Sequence, residues 1–354
     1  MSKISILQSR MPDTMDAILI TSDISRRYLT GFNYTDGYVL VTHKSAVMFA
    51  DFRYIEAARP FASDELEVVM LKGRRSSQLG DTFRDLNLVH VGFEDVSLTY
   101  AEGMRLKADF PTIDWLPIGT LLDDQREVKD EGEIAKITAA QRIAEKGFEY
   151  LLGFIRPDMT EREVALELEF FMRKNGAEAS AFDIIAVSGS ASSMPHGVPR
   201  DVVLEKGFLT LDFGAVVDGY LSDMTRTIVL GKADEEMKRV YQTVLDAQLA
   251  ALEVIAAGKP GDECDKAARD LIDGAGYEGC FGHSLGHGVG MYIHEAPSLS
   301  GGWKKPLVPG QIVTVEPGIY IEGKYGVRIE DMVVVREGGN ENLTRAPKQM
   351  IEIF

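Results

Sequence analysis

The chain has 354 residues, more than one hydrophobic core of ordinary size takes up, so two domains are the default. Apolar residues make up 45 % and charged residues 26 %, and a formal net charge of −17 argues against nucleic acid or an anionic membrane as partner, since both select for basic patches. Cys264 and Cys280 give no disulfide framework, no apolar run reaches a bilayer's thickness and the first residues carry no cleavage signal, so a cytoplasmic enzyme or binding protein is expected.

In chain order, AILIT (17–21), YVLVT (38–42) and AVMFA (46–50) read as short strands. SRRYLTGF and DFRYIEAARPF read as helices or turns between them, VHVGFE (89–94) as another strand and YAEGMRLKADF as another helix. This alternation predicts a small α/β domain. It ends near DDQREVKDEGE (123–133), which is charged and lacks apolar periodicity, and runs into a long helix, EIAKITAAQRIAEKGFEYLLGFI.

The second part repeats itself. Pro157 precedes a capping box, Thr160-x-x-Glu163, and a helix stopped by Gly176. About a hundred residues later Pro260 precedes another short helix with a glycine stop. Long helices lie before each, over 133–155 and 235–255, and a β-rich segment follows each. Asp212 in GFLTLDFG and Glu316 in GQIVTVEPG hold equivalent places, as do Asp223 in LSDMTRT and Glu330 in VRIEDMVV.

Asp212 and Asp223 pose a physical problem. Asp218-Gly219 is a strong signal for a two-residue hairpin turn, which would pair Asp212 with Thr225. Asp223 then shares their face, roughly 7–8 Å from Asp212 at Cα. Two carboxylates that close either face water or are held by a cation. Glu316 and Glu330 flank a second strand–turn–strand, PGIYIEGKYGV. Two half-domains packed about a pseudo-twofold axis would bring all four together, and such a cluster needs divalent metal to be buried. Oxygen donors suit Mn²⁺, Mg²⁺ or Fe²⁺, and imidazole shifts the choice towards transition metals. His196, His283, His287 and His294 all stand in or beside glycine-containing stretches, whereas His43 and His90 read as ordinary core or surface residues.

These segments together resemble the pita-bread metallopeptidases, in the bacterial Xaa-Pro aminopeptidase and prolidase branch, over essentially the whole chain. The resemblance is carried by LDFGA with DGYLSDMTRT, by GHSLGHGVGMYIHEAP, by TVEPGIYI and by GVRIEDM, with TGF and DFRY matching the family's leading domain. It implies an α/β (α+β) chain: a creatinase-like N-terminal domain over 1–126, then a pita-bread catalytic domain over 127–354 with a pseudo-twofold internal repeat. It implies five metal ligands, Asp212, Asp223, His287, Glu316 and Glu330, with Asp223 and Glu330 bridging two ions. Asp212 would complete one ion, His287 and Glu316 the other. Mn²⁺ is expected first, with Co²⁺, Fe²⁺ or Zn²⁺ as alternatives.

The activity implied is hydrolysis of the bond between an N-terminal residue and a following proline. The reading is aminopeptidase P-like, with an Xaa-Pro dipeptidase (prolidase) as the alternative, acting on short proline-containing peptides as a homodimer. Glu316 is the expected proton shuttle. His294 and His196 would bind the substrate carbonyl or the tetrahedral intermediate, and His283 the proline ring. Arg328 is expected beside the ligands and substrate, and Thr225 behind Asp223. Three rivals differ at sequence level. Methionine aminopeptidases generally lack so large a leading domain, creatinases lack the metal ligands, and a non-catalytic binding protein on the same scaffold would have lost ligands.

Overall fold

The computed structural model describes residues 1–72 and 75–354, which form two compact units, Met1–Gln125 and Arg126–Phe354. The first is built on a six-stranded mixed sheet in the order Leu66–Met70, Ala46–Ala50, Gly37–Thr42, Ala17–Ile20, His90–Phe93, Asp114–Pro117. Ala17–Ile20 is buried along its whole length, as an unbroken apolar run at a sheet centre requires. It pairs antiparallel with Gly37–Thr42 and parallel with His90–Phe93. The helix Asp23–Thr30 starts at Ser22, whose hydroxyl accepts from Ser25 N, and ends at Gly31, which takes φ 74° as a left-handed cap. Leu19, Leu40, Phe49, Leu79 and Val91 form this unit's core.

The second unit consists of two halves of matching order. In the first, helices Glu131–Phe154 and Glu161–Lys174 accompany the strands Ile185–Ser188, Gly207–Phe213 and Met224–Leu230. In the second, Glu235–Val254 and Gly261–Ile272 accompany Gly286–Gly288, Glu295–Leu299, Ile312–Val315 and Asp331–Arg336. Capping boxes open both helices of the first half, Asp130 with Glu133 and Thr160 with Glu163. Each half has its own apolar cluster: Phe148, Leu168, Leu209 and Leu211 in one, Val240, Val244, Val313 and Val333 in the other. Truncating a fully buried member such as Leu211 to alanine would cost about 2–5 kcal/mol. The repeated helix–helix–sheet order is the pita-bread architecture. No helix among the described residues is long and apolar enough to cross a membrane.

The Asp212 hairpin has the expected register, with Asp212 opposite Thr225. Asp218 and Gly219 turn at φ 51° and 80°, the positive values a tight hairpin needs, between the paired residues Val217 and Tyr220. The ladder is broken just before Asp223. A Cβ on Gly214 would lie 1.8 Å from Ser222 O, so only glycine lets the two backbones come that close. Ser222 ties off the break, its Oγ accepting from Ala215 N at 3.0 Å. Asp223 therefore sits outside regular pairing, one residue ahead of the strand Met224–Leu230.

Candidate metal centre and substrate cavity

The two halves meet with their carboxylates converging. Asp223, His287 and Glu330 each offer a ligand atom, and these atoms lie within 4.8 Å of one another. Glu316 Oε1 is 3.2 Å from His287 Nε2, and Asp223 Oδ2 is 3.6 Å from the same nitrogen. Asp212 lines the same cavity, its Oδ2 2.6 Å from Arg328 Nη2. Its Oδ1 is buried and has no hydrogen-bond partner among the described residues.

Glycines place His287. A Cβ on Gly286 would stand 2.0 Å from Thr314 O, and one on Gly288 2.2 Å from Ala296 O, so the imidazole rides on a strand squeezed between two neighbours. Thr314 Oγ1 accepts from His287 N at 3.1 Å and donates to Glu316 Oε1 at 3.0 Å, tying one candidate ligand to the other. With Nδ1 donating to Gly288 O at 3.1 Å, the ring presents Nε2 to the carboxylates.

The electrostatics are those of a site that draws cations. Burial lifts the Asp223 carboxyl well above its ordinary value, and Asp212 lifts it further. Burial and then Asp223 do the same to Glu330. Asp212 is also raised, because its burial outweighs Arg328. Burial opposes the charge on Glu316 and His287 too. It is overcome there by their mutual pairing, which holds the carboxyl down at about 2 and the imidazolium up to about 9. A divalent ion beside Nε2 competes directly with that proton. Carboxylate oxygens, one imidazole nitrogen and an orphaned buried carboxylate oxygen are a donor set that fits divalent transition metal.

Behind the ligands the halves support each other crosswise. Thr225, from the first half, donates to Glu330 Oε2 at 2.7 Å. Arg328, from the second, donates to Asp212 Oδ2, to Thr225 Oγ1 at 2.9 Å and to Tyr320 OH at 2.8 Å. Thr225 thus serves Glu330 and not Asp223. The break at Gly214 takes Asp223 out of the ladder, while Thr225 stays in it, where Glu330 N reaches Thr225 O at 3.1 Å. Tyr320 is a site residue that sequence reasoning missed. Its one signal was its place in PGIYIEG, in the strand just after Glu316.

A cavity of ≈ 570 Å³ opens over this cluster. All the residues singled out from the sequence as ligands or substrate contacts line it, with Phe182, Ile184, Val198 and Ile293 as apolar wall. His294 stands edge-on to His287, ring centres 4.3 Å apart. His283 has both nitrogens engaged, Nδ1 with Ser284 O at 2.8 Å and Nε2 with Tyr320 OH at 2.9 Å. Lost solvation in the cavity pushes both these histidines below the ordinary imidazole value, for His294 with help from the positive ring of His287. His43 and His90 take no part: both belong to the first unit, His43 bonded to Met15 O and His90 mostly solvent-facing.

A paired-half fold with a carboxylate–imidazole cluster at its seam defines the pita-bread class of peptidases. The chain belongs to metallopeptidase family M24, whose model matches residues 135–337, and its first part matches the creatinase/prolidase N-terminal domain over residues 5–128. It is an enzyme acting on Xaa-Pro bonds. Among its relatives is an Xaa-Pro dipeptidase of Pyrococcus horikoshii, 35% identical over 98% of this chain and 97% of that one. Two solved structures superpose closely. One is an Xaa-Pro dipeptidase from Bacillus anthracis, at TM-score 0.94 and 44% identity over 99% of both chains. The other is an X-Pro aminopeptidase from Thermotoga maritima MSB8, at TM-score 0.92 and 38% identity, covering 96% of this chain and 98% of that one.

Proposed function

We propose that Asp212, Asp223, His287, Glu316 and Glu330 hold two divalent ions, Mn²⁺ first among them, and that the chain cleaves Xaa-Pro dipeptides. The observation that carries this is the convergence of four carboxylates and one imidazole on one wall of a cavity whose other walls carry three further histidines. Ions bound there would supply Lewis acidity and lower the pKa of a water bound to them towards neutrality.

The remaining work falls to the chain's own side chains. Glu316 takes a proton from the attacking water and returns it to the proline nitrogen, which must be protonated to leave as an amine. That nitrogen is a tertiary amide with no N–H, so no part of the site needs to accept a hydrogen bond from it. His294 and His196 donate to the substrate carbonyl and to the negative oxygen that develops from it. For His294 this role is supported by its place in the cavity lining beside His287, with no hydrogen bond among the described residues to tie up its ring nitrogens. His283, with both nitrogens occupied and Phe281 edge-on at 5.0 Å, presents ring carbon to the proline. Arg328 holds Asp212 and Thr225 in place.

The dipeptidase reading is supported by the two Xaa-Pro dipeptidases named above. A second, aminopeptidase P-like reading is favoured by one feature: the only guanidinium lining the cavity among the described residues, Arg328, already bonds Asp212, Thr225, Tyr320 and Pro195 O. A free proline carboxylate would then be recognised by imidazole, and chain beyond the proline would be tolerated. A Mn²⁺-loaded panel of Xaa-Pro, Xaa-Pro-Yaa and matched Xaa-Ala peptides separates the readings. The expected kcat/KM order is Xaa-Pro, then Xaa-Pro-Yaa, then Xaa-Ala. Faster cleavage of the tripeptides would select the second reading, and equal rates on proline and alanine would reject both.

A further inference from the structure

We infer that Lys129 and Glu295 are a positioning pair for His294, an inference that rests on the role proposed for that histidine. His294 ends an irregular stretch, residues 289–294, between the strands Gly286–Gly288 and Glu295–Leu299. It is exposed, and its ring makes no hydrogen bond among the described residues, only the edge-on contact with His287. Its position is therefore set by the backbone on either side.

On one side that backbone is fixed by a buried ion pair. Glu295, the next residue, receives Lys129 Nζ on Oε1 at 2.5 Å, with side chains 9 % and 1 % exposed. Lys129 is its only charged partner among the described residues. Nζ also donates to Glu127 O at 3.0 Å, and Lys129 N donates to Gly310 O at 2.9 Å, so the lysine is itself held. The loop is shaped around this carboxylate. A Cβ on Gly290 would lie 2.3 Å from Glu295 Oε1, and Leu221 N bonds Gly290 O at 2.8 Å from the neighbouring hairpin. Arg126 stacks over Tyr292 of the same loop, 5.2 Å from the ring centre.

A buried ion pair contributes little net stability, and replacing both members with apolar residues of similar volume is often neutral for folding. What the pair contributes here is placement. A donor must sit within a few tenths of an ångström of the oxygen it serves, and misplacement by an ångström costs on the order of 10–100-fold in rate.

The test is a cycle between the double variant Lys129→Met/Glu295→Met and His294→Ala, measured on the full-length Mn²⁺-loaded protein with an Xaa-Pro dipeptide. The double variant is expected to fold, to keep its metal content and to lose roughly 10–100-fold in kcat with a smaller change in KM. Amide hydrogen exchange over residues 289–294 should quicken. In the His294→Ala background the same two substitutions should change kcat by less than about twofold, because the group they position is gone. An unchanged kcat in the double variant, or losses that multiply in full across the cycle, would overturn the inference while leaving the role of His294 standing. So would a double variant that cannot fold, because the pair would then be structural only. If His294→Ala itself retains full turnover, the proposed role fails first and the inference with it.

Discussion

The two halves of the catalytic unit carry equivalent carboxylates yet differ in everything around them. The first half places Asp212 and Asp223 on one hairpin and adds a single histidine, His196, to the cavity. The second places Glu316 and Glu330 around its own hairpin and adds His283, His287, His294, Tyr320 and Arg328. The duplicated feature is the pair of carboxylates. The specialised feature is the set of groups that would bind and polarise substrate. The halves are also unequal creditors of each other: Thr225 steadies Glu330, Arg328 steadies Asp212, and Arg226 from the first half bonds Glu330 O at 2.6 Å and Asp331 Oδ1 at 2.8 Å. Neither half completes its own site, so a change in one should be felt by the ligands of the other.

The largest effects should come from the carboxylates at the seam. On the proposed assignment Glu330→Ala and Asp223→Ala each remove a ligand expected to be shared between ions, and turnover should fall to background in both. Metal analysis checks this, with loss of both ions expected from either. His294→Ala should be milder. A single lost transition-state hydrogen bond costs about 10²–10³ in rate, and metal content should stay nearly intact. Metal lost from His294→Ala would make it a ligand and put the assignment of His287 in doubt.

Crosswise support gives smaller effects. Arg328→Met leaves Asp212 without its cation and Thr225 without its donor, and loss of such an outer partner costs about 10–100-fold in metal affinity or activity. The decisive detail is which ligand suffers. Metal titration should show the weakened ion to be the one Asp212 is proposed to complete, although Arg328 belongs to the other half. Tyr320→Phe removes hydrogen bonds to Arg328 and His283 and should cost about 2–10-fold in kcat/KM, the scale of 0.5–1.5 kcal/mol for a neutral hydrogen bond.

Much of this asymmetry was not readable from the sequence, for a physical reason. The Asp218-Gly219 turn, the Asp212–Thr225 pairing and the Thr160 cap are local, set by residues a few positions apart, and they were read with their register. The four carboxylates were found because the chain repeats itself. Tyr320, Thr314 and the bond from Thr225 to Glu330 join residues that no local periodicity relates, the last pair 105 positions apart. In the first unit the strands Ala46–Ala50 and Gly37–Thr42 were plain, whereas Leu66–Met70 and Asp114–Pro117 at the two sheet edges were missed. Edge strands are short and half-exposed, and Asp114–Pro117 ends in a proline, so neither shows the apolar run of a central strand. Leu121–Glu127 is a helix inside a stretch that read as charged and aperiodic, its first turn carrying Asp123 and Asp124.

Acidity should act on the same seam. The carboxyls of Asp212, Asp223 and Glu330 lie above their ordinary values, so protons compete for them at higher pH than for free carboxylates. Ion binding must displace those protons and the one on His287. Affinity should therefore rise with pH and fall as pH falls, with protons released on binding. Calorimetry in buffers of different ionisation enthalpy reads that release directly, and binding without proton release would count against these ligands.

The most direct test of the central claim is a count of ions on the intact chain. Equilibrium dialysis against Mn²⁺ near neutral pH, followed by elemental analysis and an Xaa-Pro dipeptide assay on the same sample, gives stoichiometry and turnover together. The account predicts two ions per chain in the native protein, activity that rises with their occupancy, and loss of both in Glu330→Ala. One ion at saturation, or two retained in Glu330→Ala, would contradict it.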